Sequence, residues 1–184
     1  VSAVGESNVG RHRIIGLSAL CVGALVLAGC APGAASTRSA TPRPTDTDAA
    51  LLSEAIDVYT RYSAALDVVL ASGEDDYAAL EEVTTEAFLD TLRADDEFSR
   101  GEWRTSGSTS FDSETLVKAD DTSLTLQLCR DVSRVAILDT SGNDITPPDR
   151  ADRFAVTVAF IRSKEGSLEI DSSDRNVEDA SCER

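Results

Sequence analysis

Phe154-Ala155-Val156-Thr157-Val158-Ala159-Phe160-Ile161 places a large apolar residue at every second position. That period is the signature of a strand with one buried face, so Phe154, Val156, Val158 and Phe160 are expected to point into a core. Upstream, Leu124, Leu126 and Leu128 alternate with Thr125, Gln127 and Cys129 in the same way. Residues 103–119, rich in Ser and Thr with Phe111, Leu116 and Val117, read as one long strand bent at Gly107. Residues 132–138 continue the leucine strand or begin another, and 167–171 form a last short strand after a turn at Glu165-Gly166. Asp120-Asp121-Thr122 and Ser141-Gly142-Asn143-Asp144 are turn material, and Pro147-Pro148 keeps its neighbours out of a ladder.

Before these strands the apolar period is that of a helix. Leu52, Ala55, Ile56, Tyr59, Tyr62, Leu66, Val69 and Leu70 recur at spacings of three and four, which predicts a helix over 48–72. Thr47 or Asp48 can cap its start, and Gly73 can supply the left-handed residue that ends it. A shorter helix over 75–83 turns Tyr77 and Leu80 inward. A third starts at a Thr84 or Thr85 cap, carries Phe88, Leu89 and Leu92 as its stripe, and breaks by Gly101. Helices followed by an antiparallel meander make an α+β domain over 49–184. N-terminal helices packed in a curved antiparallel sheet would leave a cone with one open end.

The segment ahead of this domain reads as an address. An apolar run over 14–29 follows Arg11 and Arg13 and closes in Leu27-Ala28-Gly29-Cys30. A basic start, a short apolar stretch and small residues at a cleavage point form a secretory signal, here 1–29 with cleavage between Gly29 and Cys30. The run is shorter than the ~20 apolar residues a spanning helix needs. Leu-Ala-Gly-Cys resembles the lipobox of bacterial lipoproteins. The resemblance implies that Cys30 takes a diacylglycerol thioether, becomes the new N-terminus and tethers the chain to the extracytoplasmic face of the cell membrane. Two acyl chains meet the condition for stable anchoring. Residues 30–48, dominated by Ala, Ser, Thr and Pro, bury nothing and read as a disordered tether spanning on the order of 25 Å. The chain opens at Val1 and has no Met, which fits an alternative start codon or a chain trimmed at its front.

Composition narrows the chemistry. The formal charge is −16, and loss of Arg11, Arg13 and Glu6 with the signal leaves the remainder one charge more acidic. That balance argues against nucleic acid as a partner and against direct docking on anionic lipid. The only histidine, His12, leaves with the signal. A Ser-His-Asp triad, a Cys-His pair and His-ligated zinc are thereby removed, and the sequence points to no cofactor or metal. Of four cysteines, Cys21 leaves with the signal and Cys30 is lipidated, so Cys129 and Cys182 remain. In an oxidising compartment they can form one bridge, worth about 4 kcal/mol in the chain-entropy model. The other reading is a pair of inert, separately buried thiols.

Lipobox, tether, a Tyr-bearing first helix, Cys129-Arg130-Asp131 on a middle strand and a C-terminal Cys182 together resemble the small actinobacterial lipoproteins. Those carry a domain related to nuclear transport factor two, the cone-shaped fold shared with ketosteroid isomerases and SnoaL-like cyclases. The group often has a Trp on its final strand, where this chain has Leu168. The resemblance implies the Cys129–Cys182 disulfide and no particular reaction. By analogy with the isomerases, Tyr59 and Tyr62 can aim hydroxyls into the cone, with Asp131 as the carboxylate to test and Trp103 as a wall. Against this, both tyrosines can simply pack helix against sheet while Asp131 satisfies backbone amides beside the cysteines. Residues 139–144 have the wrong glycine position for a calcium loop, and Arg150 falls where a bidentate Glu is required, so a hairpin turn is expected there. The expectation is a lipid-anchored, non-enzymatic module that binds a small apolar ligand or an envelope protein. The alternative is a lyase or isomerase using Asp/Tyr acid–base chemistry in the cone.

Overall fold

The computed structural model describes residues 46–73, 76–94, 102–177 and 179–182. Gly29 and Cys30, the expected signal segment and the tether up to residue 45 lie outside them. Helix α1 runs Asp46–Ser72, so it starts ahead of both expected caps, Thr47 and Asp48. Ala55, Val58, Tyr59, Tyr62, Ala65, Leu66 and Val69 form its buried stripe. It ends at Gly73, whose φ is +67° and whose N–H donates to the Val69 carbonyl at 3.2 Å. No helix among the described residues is long and apolar enough to cross a membrane.

Where a helix over 75–83 was expected, α2 is one turn, Ala78–Glu81, opened by the Asp76 carboxylate accepting from the Ala78 N–H at 3.2 Å. Tyr77 and Leu80 are nonetheless buried. Helix α3, Glu86–Ala94, starts as its sequence predicts. The Phe88 N–H donates to the Thr85 hydroxyl at 3.2 Å, and Phe88, Leu89 and Leu92 turn inward.

Six strands follow: β1 Trp103–Ser106, β2 Ser110–Ala119, β3 Ser123–Asp131, β4 Ala136–Asp139, β5 Arg153–Arg162 and β6 Leu168–Arg175. Strands β2-β3-β5-β6 form a curved antiparallel sheet in that order, while β1 and β4 pair apart from it. The single long strand expected over 103–119 is therefore two strands in two sheets. Its break is at Gly107, with φ +100° and so little room that a Cβ there would lie 1.9 Å from the Arg134 carbonyl oxygen. Only glycine lets the β3–β4 connection pass that closely. Strand β6 runs four residues beyond the expected 167–171, because the polar stretch Ser172 to Arg175 pairs with β5.

The core is one cluster between α1 and the inner sheet face, with Leu124, Leu126, Leu128, Val156, Val158, Phe160, Leu168 and Ile170 meeting the α1 stripe. The β6 edge is covered where the Ile170 N–H donates to Val83 and its carbonyl accepts from Thr85, both at 2.9 Å. The fold is α+β, with helices packed on a curved antiparallel sheet.

Candidate functional site

The alternation that buries Leu124, Leu126 and Leu128 assigns faces to everything else on β3. Position 130 continues the inner face, while 129 and 131 belong to the outer one. Asp131, expected beside the tyrosines, is thus on the wrong side of the sheet to act on them. Its carboxylate accepts from the Ser133 hydroxyl at 2.6 Å and the Ser133 N–H at 2.9 Å, and lies 3.9 Å from Arg153. These contacts, Ser133 first, hold its pKa below the usual carboxylate range. Asp131 is a turn-forming, ionised surface carboxylate.

Tyr59 and Tyr62, one turn apart on α1, are both buried. The Tyr59 ring meets Phe111 edge-on at 4.8 Å, and the Tyr62 ring lies 6.1 Å from Phe88. Tyr59 and Tyr62 are 5.7 Å apart. Burial pushes the Tyr62 hydroxyl up to about 12 and raises that of Tyr59 as well, with the Arg130 guanidinium pulling the other way in both. The Tyr59 Oη is sealed from solvent and makes no hydrogen bond of good geometry, although Arg130 and Ser173 lie beside it.

Arg130 takes the place expected for Asp131. Its Nη2 is 3.5 Å from the Thr109 hydroxyl, and that hydroxyl donates to Asp67 on α1 at 2.7 Å. The second Asp67 oxygen accepts from the Thr109 N–H at 2.9 Å. The Arg130 Nε is buried and unpartnered. Arg130 thus sets a cationic group against the two tyrosines, with the charge of Asp67 also felt at Tyr59 and that of Asp174 at Tyr62. Sequence reasoning missed Arg130, yet the leucine alternation points to it when carried one step further.

Trp103 does not join this group. It sits on β1 opposite Asp139 and lines an open groove of about 210 Å³ with Ser72, Gly73, Arg104, Asp139 and Thr140. The Asp139 carboxylate accepts from the Ser141 and Asn143 N–H groups, each at 2.8 Å, and from the Asn143 side chain at 2.9 Å. Residues 139–144 are a turn closed on its own first side chain.

On the outer face Cys129 and Cys182 form a disulfide, with Cα atoms 5.5 Å apart. Both are buried with Ala155, and the Asn176 N–H donates to the Ala155 carbonyl at 2.9 Å. The Gln127 side chain donates to Asp179, so the C-terminal segment is strapped over β3 and β5.

No protein-family model matches the chain, and no curated protein matches it. Among solved structures, a protein of Catenulispora acidiphila in complex with S-DNPA is similar at 14% identity, covering 69% of this chain and 92% of that one, with a TM-score of 0.45. A second structure from the same organism is 15% identical over 71% and 93%, with a TM-score of 0.43. Aln2 from a Streptomyces species is 19% identical over 75% and 96%, at 0.41. Likeness at this level says nothing of activity, and the fold stands on the chain's own strand pairing.

Proposed function

We propose that this chain is a bacterial lipoprotein, held through Cys30 on the extracytoplasmic face of the membrane. Its cone-type α+β domain binds a small apolar ligand or an envelope partner without turning it over. The observation that carries the reading is Leu27-Ala28-Gly29-Cys30 at the end of a short apolar run behind two arginines. The disulfide is compatible with an oxidising compartment. The tyrosine end of the domain supports binding over turnover. An isomerase or lyase of the Asp/Tyr kind needs a carboxylate against the tyrosine hydroxyl, and the group found there is Arg130. Asp67, the α1 carboxylate closest to this role, spends both oxygens on Thr109.

Fractionation of a host expressing the wild type and Cys30→Ala tests the reading. The wild type is expected in the detergent phase as a processed, shortened chain, and Cys30→Ala as an unprocessed precursor. Equal processing and equal partitioning of the two forms contradict it.

A further inference from the structure

Four residues from four adjacent strands line up at one end of the inner sheet face. Phe111 on β2 pairs with Arg130 on β3, and Arg130 pairs with Phe154 on β5. Directly opposed residues in antiparallel strands project to the same face, so the guanidinium stem stands between two phenylalanines. On β6, Arg175 pairs with the inward Val156 and lays its guanidinium over Phe154, 4.5 Å from the ring centroid. Tyr59 and Tyr62 close the row from α1.

The arginines of this row make no direct ion pair among the described residues. The arginines half-buried like Arg130 each face a carboxylate: Arg150 meets Asp152 at 3.6 Å, Arg153 pairs with Asp112, and Arg162 reaches Glu54 at 2.9 Å. Among the described residues neither Arg130 nor Arg175 has one, in a chain whose acidic residues outnumber the basic ones 33 to 17. Arg130 reaches Asp67 only through the Thr109 hydroxyl. Its Nε and the neighbouring Tyr59 Oη are both buried without a hydrogen-bond partner. A half-buried cation with no carboxylate in direct contact, set between aromatic faces, is arranged to receive an anion.

We propose that this row binds a small carboxylate carried on a flat apolar body, with Arg130 taking the carboxylate, Arg175 reinforcing it, and Phe111 and Phe154 flanking the ring. The proposal rests on the reading of the domain as a binding module and names its ligand class. The flat body answers the aromatic walls, and the carboxylate answers the guanidinium fork, which accepts planar oxyanions two bonds at a time.

The test is titration calorimetry of the full chain in zwitterionic lipid nanodiscs, corrected against empty discs. The probes are 2-naphthoate and its neutral isostere 2-naphthamide. Naphthoate is expected to bind about tenfold or more tightly than naphthamide, the scale of a charge-assisted hydrogen bond. Arg130→Gln should erase that preference, and the exposed Arg175→Gln should lower it several-fold without affecting folding. Arg104→Gln, an exposed arginine lost elsewhere, should leave it unchanged. Equal affinity for the two probes, no binding of either, or equal losses from Arg175→Gln and Arg104→Gln overturn the proposal. None of these results bears on whether Cys30 is lipidated, so the ligand class and the anchor fail separately.

Discussion

One step along β3 separates a guanidinium facing two tyrosines from a carboxylate facing water. Arg130 and Asp131 are neighbours in sequence, and the strand period sends them to opposite faces. The tyrosines were legible as inward residues from the helix period, and their burial makes a pH prediction. Tyr62 ionises at about 12 in the folded chain against 10.0 for an ordinary tyrosine. A raised tyrosine pKa stabilises the fold fully below the unfolded value, and that contribution is lost as pH rises from about 10 towards 12. The gap between those two values limits the loss to about 3 kcal/mol. Denaturant unfolding at steps from pH 9 upward should show stability falling above pH 10, and Tyr62→Phe should flatten the fall. A Tyr62→Phe chain that loses stability as steeply as the wild type contradicts the assignment. Asp131 was misread for a physical reason: the Cys-x-Asp spacing drew attention to the residue beside the cysteine, which shares the cysteine's outer face.

At the scale of elements, local sequence announced α1, α3, β3 and β5, because each presents an uninterrupted apolar period to a single core. It did not announce the split of 103–119. A glycine within a run of strand formers is as compatible with a bend as with a change of sheet, and the choice is made by Arg134 arriving from the β3–β4 connection. Gly107→Ala should therefore cost several kcal/mol, about 2–4, since a positive φ and a backbone clash add. Gly166→Ala provides the comparison. Its φ is +92° but nothing lies within 4 Å of the added Cβ, so its cost should be only the conformational one of about 1–2 kcal/mol. Melting temperatures of the two variants decide it, and equal losses would show that Arg134 yields freely. The end of β6 was illegible for another reason. Ser172 to Arg175 carry no apolar signal, because Ser173 and Arg175 face the polar tyrosine end rather than the leucine core.

At the scale of the whole molecule, the described residues join a closed α+β core to a C-terminal strap bolted by Cys129–Cys182 over the outer sheet face, and the proposed lipobox precedes them in sequence. The core, the strap and the tyrosine–arginine row are described by the structure, whereas the address we propose lies outside the described residues and rests on a sequence pattern of charge, apolarity and small residues. The proposed address would give the disulfide an oxidising setting, with which the bridge is compatible. Mass spectrometry of the N-terminal peptide, released from protein purified out of native membranes, tests it most directly. The account predicts a peptide beginning at Cys30 and carrying the mass of a thioether-linked diacylglycerol. A peptide that begins upstream of Cys30, or that begins there with an unmodified thiol, contradicts it.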